Sequence, residues 1–426
     1  MEEWKQYRLG DICSIYGRIG FRGYTTEDLT NVREEGAISL SPTNIVAGEL
    51  DLSKPTFIKW DKYYESPEIM IRPYDIVIVK TGSSVGRTTL IREVSHPMTL
   101  NPQLVVLKDL RVNPIFLSYL IKTREFQGAL QSITVGSAIP TLSQKNLANL
   151  QISIPSDDTQ NRISGILNSL DKKILLNNRI NHNLEEQAQA LFKSWFIDFE
   201  PFKDGKFVDS ELGLIPETLR TSKICDLCHT IETGRRPKGG IVDVVDGVPS
   251  IGAENIKGLG FYDFGKTKYV SRDFAASMKK GLVKGYELLI YKDGGKPGYF
   301  IPNFSIFGEG FPYDNMTVNE HVFILDFKDI GYNVFSYFFF QTEVIMNYLN
   351  AQGSKAAIPG INRNDVESIT IFSQNNVLVK EFGQRITPII TSILKRNVEN
   401  HKLSIIRDSL LPRLMSEKID LDNSAN

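Results

Sequence analysis

Apolar positions along one stretch of the chain step alternately by four and three. They are Ile163, Leu167, Leu170, Ile174, Leu184, Ala188, Leu191 and Trp195, with the polar Asn177 and Asn181 holding the two steps between Ile174 and Leu184. A 3.5-residue repeat of this length predicts a long helix lying along a partner helix. Adding 219 to each number gives Phe382, Ile386, Ile389, Ile393, Arg396, Asn400, Leu403, Arg407, Leu410 and Leu414, so most of the seam returns. Asn181 and Asn400 fall on the same step. Polar seam residues either fix register at a cost in stability or lie solvated at the seam edge. Pro388, inside the second stretch, predicts a kink or a late helix start. The segment between the two stretches is long enough to return the chain, so the two helices are expected to pair antiparallel.

Outside these helices the pattern changes to short apolar runs punctuated by Gly, Pro and Asn, which predicts strands, turns and a few helices. The run Val334 to Leu349 (VFSYFFFQTEVIMNYL) predicts one buried helix. LSQKNLANL followed by QISIP predicts a short helix and then a strand. These regions repeat as well. GSAIPTLSQKNL (Gly136 to Leu147) returns as GSKAAIPGINRNDV (Gly353 to Val366), and DIVIVKTGSSVG (Asp75 to Gly86) as ELLIYKDGGKPG (Glu287 to Gly298). LNPQLVVL (Leu100 to Leu107) resembles VNEHVFIL (Val318 to Leu325), and Asn44-Ile45 matches Asn255-Ile256. The chain therefore reads as a degenerate tandem duplication. The GS…IP phrase is expected to be a joint between each globular part and its helix.

The expected fold is α+β, a pseudo-twofold repeat of two mixed α/β domains joined by two long antiparallel coiled-coil helices. The first domain takes residues 1–155, the central helix 156–200 and a linker 201–215. The second domain takes 216–373, the C-terminal helix 374–418 and a tail 419–426. A helix of about 36 residues spans ~54 Å, comparable with ~16 base pairs of DNA. Two globular parts held at a fixed spacing suit two sites on one rod-like ligand. A scaffold protein with a coiled-coil stalk is the alternative on pattern alone.

Bulk composition narrows the compartment more than the activity. With 426 residues, 41% hydrophobic and 23% charged, the chain is ordinary for a folded protein. It has no long uncharged apolar run and its N-terminus lacks an apolar core, so neither a membrane span nor an export signal is expected. Three cysteines argue for a reducing compartment, and the chain is read as cytoplasmic. A net charge of −1 argues against purely electrostatic binding of a polyanion but leaves room for a local basic cleft.

Several tempting motifs fail on inspection. CDLCH (Cys225 to His229) spells a haem-attachment pattern, but the first repeat has no counterpart, and core cysteines beside a chance histidine are expected. GSSVGRTT (Gly82 to Thr89) is one residue short of a phosphate loop and has Arg87 in place of the lysine. NPIF (Asn113 to Phe116) lacks the second proline of an amino-methyltransferase loop. No catalytic constellation and no metal site are expected.

WKQYRLGDICSI (Trp4 to Ile15), GSAIPTLSQKNLANLQISIP (Gly136 to Pro155), LFKSWFIDFEPF (Leu191 to Phe202) and the restart LGLIPE (Leu212 to Glu217) resemble the specificity subunit of type I restriction-modification enzymes. The resemblance covers essentially the whole chain in the family's order. The second unit has Leu219 where the first has Trp4, and the C-terminal helix has no match to SWFIDFEPF. The resemblance implies two target recognition domains, each reading one half of a split site on double-stranded DNA. It implies helices that set the spacer and dock two methyltransferase (modification) subunits, which restriction (motor and nuclease) subunits join. It also implies a chain that is inert alone, with S-adenosylmethionine, ATP and magnesium bound by its partners. Base readout calls for Arg, Lys, Asn or Gln on groove-facing loops. The candidate DNA-binding residues are Arg18, Arg22, Tyr24, Asn44, Lys80, Thr81, Ser83 and Arg87 in the first unit. In the second they are Arg235, Arg236, Lys238, Asn255, Lys292 and Lys296.

Overall fold

The computed structural model describes residues 4–20, 23–46, 48–136, 138–238, 240, 247–294, 298–355 and 359–416. The chain forms two compact units, residues 1–172 with 403–426, and residues 173–402.

The central sheet of unit 1 has four antiparallel strands in the order Ser14–Gly17, Leu104–Lys108, Ile76–Val79, Thr88–Leu90. Ile76–Val79 reads IVIV with all four residues buried, because both faces of the sheet are covered. Side chains alternate across a strand, so Ile76 and Ile78 enter one core with Val105 and Leu107. Val77 and Val79 enter a second core with Leu104 and Val106. A sheet covered on both sides needs continuous apolar runs, which is why these strands lack a clean polar alternation.

Unit 2 repeats this sheet strand for strand, as Thr230–Thr233, Val322–Asp326, Leu288–Tyr291, Phe304–Ile306, again antiparallel throughout. Each unit also has a second four-stranded sheet containing one parallel pair, Gly36–Leu40 with Met98–Leu100 and Val248–Ile251 with Met316–Val318. In each unit an early and a late strand pair antiparallel, Lys5–Arg8 with Gln151–Ile154 and Thr221–Lys223 with Thr370–Phe372. The later strand of each pair leads into a long helix. The helix Gln144–Ala148 and the strand Gln151–Ile154 lie where LSQKNLANLQISIP predicts them.

The long helices run over Asp157–Phe196 and Val377–Leu414. Within unit 2, Asn177 Nδ2 donates to Glu399 Oε2 and Asn400 Oδ1, both at 2.8 Å, and Asn181 Nδ2 donates to Asn397 Oδ1 at 3.1 Å. As the number rises on one helix it falls on the other, so the helices are antiparallel there. Asn400 Nδ2 donates to Asn178 Oδ1 at 2.8 Å, so the seam asparagines pair across the helices and are not solvated at its edge. Asn177 Oδ1 and Asn181 Oδ1 are buried and accept no hydrogen bond from the described residues. That is the stability cost of a polar seam that specifies register.

Within unit 1, Ile163 and Leu167 are fully buried in the same cluster as Leu414. Leu170, Ile174, Leu184 and Leu403 are half-buried. On the second helix Phe382, Ile386 and Ile393 are buried, but the seam position expected at Ile389 is taken by Ile390, with Leu394 beside it. Here the helix packs on its globular part as well as on the other long helix, which widens the apolar stripe beyond a two-position seam. The expected late start is also absent, since the helix is continuous from Val377 through Pro388. The expected single helix over 334–349 is two, Ile330–Phe340 and Glu343–Gly353. Gln341 caps the first, and Thr342, with extended backbone, opens the second.

The second long helix meets the first of these two helices through glycine. A Cβ added at Gly383 would stand 2.8 Å from backbone atoms of Gly331. Gly383→Val is therefore expected to push the two backbones apart and lower the stability of unit 2 by about 1–3 kcal/mol. Urea denaturation of the full chain measures this, and an unchanged midpoint would refute the close approach.

Candidate nucleic-acid interface

The repeated GS…IP phrase does more than join globular part to helix. In unit 1 the N–H of Gly82 donates to the Pro140 carbonyl at 3.0 Å, that of Leu142 to Lys80 O at 2.8 Å, and that of Lys80 to Gln103 O at 2.8 Å. In unit 2 Gly294 donates to Pro359 O at 2.8 Å, Ile361 to Lys292 O at 2.7 Å, and Lys292 to His321 O at 3.1 Å. Three segments are thus laced together in the same way twice. They are the end of the inner strand, the turn leading into the neighbouring strand, and the segment that begins at Pro140 in unit 1 and Pro359 in unit 2. Gly82 (φ 104°) and Gly294 (φ 122°) adopt the left-handed backbone that lets the lysine-bearing strand turn at this point. Each clamp carries one lysine.

In unit 1, Lys80 is half-buried, and burial pulls the pKa of its ammonium below the ordinary lysine value. Thr81 forms an isolated bridge with Thr141. Ser83 and Arg87 are exposed on the turn that follows. That turn leads into the strand Thr88–Leu90 and not into a helix, so GSSVGRTT is a hairpin connection. Lys80, Thr81, Ser83 and Arg87 therefore share one polar tip.

Other candidates have structural duties. Arg18 is only 3% exposed. It donates through Nε to Leu100 O at 2.9 Å and through a guanidinium nitrogen to Thr99 Oγ1 at 3.2 Å, and it lies 5.3 Å from the Tyr24 ring centroid. Tyr24 shares a 2.8 Å hydrogen bond with Ser39 Oγ. Arg18 is thus a core tie between the two sheets and not a surface contact. Asn44 and Asn255 also serve the fold and not the surface. Both are buried, and their Oδ1 atoms accept from the N–H of Ser41 at 2.9 Å and of Gly252 at 3.0 Å, closing equivalent turns. Their recurrence reflects a shared turn. Arg22 and Lys296 lie outside the described residues.

In unit 2, Arg235 is occupied with Ser277 Oγ at 2.8 Å and the Phe274 ring at 5.0 Å. Lys238 is exposed. Arg236 and Lys292 belong to one network. Lys292 Nζ is 3.2 Å from Asp293 Oδ2, and Asp293 Oδ1 hydrogen-bonds His321 Nδ1. His321 Nε2 is 3.4 Å from Glu320 Oε1, which Arg236 Nε approaches at 3.2 Å. Sequence reasoning missed Asp293, Glu320, His321 and Gln103. The signal was present in the match of LNPQ to VNEH, which puts Gln103 opposite His321 beside the paired lysines.

CDLCH departs from expectation, because Cys225 and Cys228 are exposed and not core residues. His229 turns inward to Leu227 O and Glu367 Oε1, at 2.7 and 2.9 Å. Asn113 of NPIF caps the helix Pro114–Leu120, accepting from the N–H of Ile115 and Phe116. Among the described residues no group of three or more His, Cys, Asp or Glu side chains could hold a metal ion. No helix among them is long and apolar enough to cross a membrane.

Residues 1–186 match the family described as the type I restriction modification DNA specificity domain. The chain is 24% identical over 428 residues to the type I restriction enzyme MjaIX specificity subunit of Methanocaldococcus jannaschii, covering 97% of this chain and 93% of that protein. It is 25% identical over 484 residues to the HindI specificity subunit of Haemophilus influenzae, covering 98% and 100%. The fold is similar to the crystal structure of a type I restriction-modification S subunit from M. genitalium, with a TM-score of 0.58, 13% identity, and coverage of 97% and 96%.

Proposed function

We propose, from the premise that the chain belongs to the type I restriction-modification specificity subunits, that its two units each read one half of a split site on double-stranded DNA. The long helices set the separation of the half-sites and dock two methyltransferase subunits, which restriction subunits join. The chain has no catalytic role of its own. The methyl donor, nucleotide and magnesium belong to the partners. The domains are residues 1–155 and 216–373, followed by the long helices Asp157–Phe196 and Val377–Leu414.

The observation that carries this reading is the duplicated lysine clamp. The same backbone lacing presents Lys80 in one unit and Lys292 in the other, and the side chains around the lysines differ. Repeated backbone with differing side chains suits two related contacts on a phosphate rod, with different bases at each.

Selection from a random duplex pool by the full chain with a methyltransferase subunit tests the proposal. A split motif is the expected result, and recovery of unselected duplexes refutes it in favour of a scaffold. The helices yield a second expectation. One heptad inserted at matched positions of both helices, on the far side of the Asn177–Asn400 pair, adds ~10.5 Å. The spacer should then lengthen by about 3 base pairs with both half-sites unchanged. An altered half-site would refute the ruler.

A further inference from the structure

The backbone of the two clamps is the same down to an asparagine turn. Asn101 and Asn319 are both buried, and their Oδ1 atoms accept from the N–H of Gln103 and of His321, each at 2.9 Å. Each of those residues then gives its carbonyl to the clamp lysine's N–H. Residues 103 and 321 therefore leave an identical support at an equivalent point. What they present is different. Gln103 is exposed, and among the described residues its side chain makes one long contact, 3.3 Å from Asn101 Nδ2. His321 is held at Nδ1 by Asp293, which takes the place of Thr81, and faces Glu320, which takes the place of Pro102. Glu320 is in turn bound by Arg236, and its Oε2 is buried with no hydrogen-bond partner among the described residues.

Two units reading different half-sites need one support and two chemistries. A glutamine amide offers a donor and an acceptor in one plane, the pattern that pairs with adenine N7 and N6 in the major groove. A glutamate accepts from the cytosine amino group and an arginine donates to guanine O6 and N7. On the reading that the units bind DNA, we propose that the residue two after the buried asparagine is the specificity-determining position of each unit. Gln103 selects an A·T pair in one half-site. His321 positions Glu320 and Arg236 to select a G·C pair in the other.

The test uses the full chain with a methyltransferase subunit and a duplex pool randomised over both half-sites. Gln103→Ala is expected to lower discrimination about tenfold or more at one A·T position of a single half-site. His321→Gln and Glu320→Gln should do the same at one G·C position of the other half-site, leaving the first intact. Lys80→Ala is the contrast, since loss of a phosphate contact weakens all sequences alike and reduces the salt slope by about one. The proposal is overturned if the Gln103 and His321 variants behave like Lys80→Ala, or if both half-sites survive unaltered in variants whose thermal melts match the parent. In either case the parent still selects a split motif and the DNA reading stands. A parent that selects no motif overturns both.

Discussion

Phe382→Ala is expected to cost unit 2 about 3–5 kcal/mol, the range for removing a fully buried phenylalanine. Phe382 is 0% exposed. Its ring lies 5.6 Å from those of Phe192, Phe196 and Phe338, and 6.1 Å from Phe335. Those partners come from the end of the first long helix and from the helix Ile330–Phe340, so one side chain joins three helices of the unit. The arrangement is edge-to-face, which adds to area burial. Trp195 lies 6.4 Å from Phe382 and is the only tryptophan of unit 2, the other two being Trp4 and Trp60. Urea denaturation followed by Trp195 fluorescence in a Trp4→Phe, Trp60→Phe background reads this unit directly. A loss below about 1 kcal/mol would mean that the cluster closes around the cavity.

In unit 1, Arg407→Ala is expected to release the end of the second long helix from its globular part. Arg407 donates to Asp171 Oδ1 at 2.7 Å, and Tyr119 Oη donates to Asp171 Oδ2 at 2.5 Å. The Asp171 side chain is 12% exposed and that of Arg407 29%. Removing the guanidinium leaves a carboxylate largely out of water, with the Tyr119 phenol as its remaining hydrogen-bond donor among the described residues and the Lys122 ammonium as a nearby cation. Breaking a fully buried pair costs about 3–5 kcal/mol, and the partial exposure of Arg407 lowers the expectation to about 2–3 kcal/mol. Burial and the hydrogen bond to Asp171 hold the Tyr119 phenol far above its ordinary pKa. The tyrosine therefore stays a donor to Asp171 and cannot replace the lost cation. Trp4 packs in the same cluster as Leu410 and Leu414, so its fluorescence follows the loss. The double variant Asp171→Asn, Arg407→Ala should recover part of the stability. If it instead falls by the sum of the single effects, the pair is not coupled.

What the sequence made legible follows from what pattern can encode. Ile163, Leu167, Phe382 and Ile393 were readable because a seam buried along one direction leaves a strict period. Ile390 was not, because the head packs on that turn from another side, and no period records a contact from outside the helix. The pairing of Lys80 with Lys292 was readable from the duplication alone. Their lacing to Pro140 and Pro359 was not, since hydrogen bonds between backbone atoms leave little trace in side-chain identity. Arg18 and Asn44 were misread for a related reason. An arginine or asparagine in a turn or loop looks the same in sequence whether it faces solvent or satisfies a backbone carbonyl. Duplication could separate these cases only where the two copies differ in side-chain chemistry, as at Gln103 and His321.

The sheets covered on both faces carry a consequence for how such a protein can change. Strands such as Ile76–Val79 and Leu288–Tyr291 have nearly every side chain committed to a core, so a random substitution there endangers the fold. Chemistry facing outward is confined to strand ends, where a typical surface replacement shifts stability by only about ±0.5 kcal/mol. On the reading that these tips meet DNA, mutational tolerance and ligand contact coincide at the same few positions. A lineage carrying this architecture can explore new targets by drifting at its tips while its interior stays fixed.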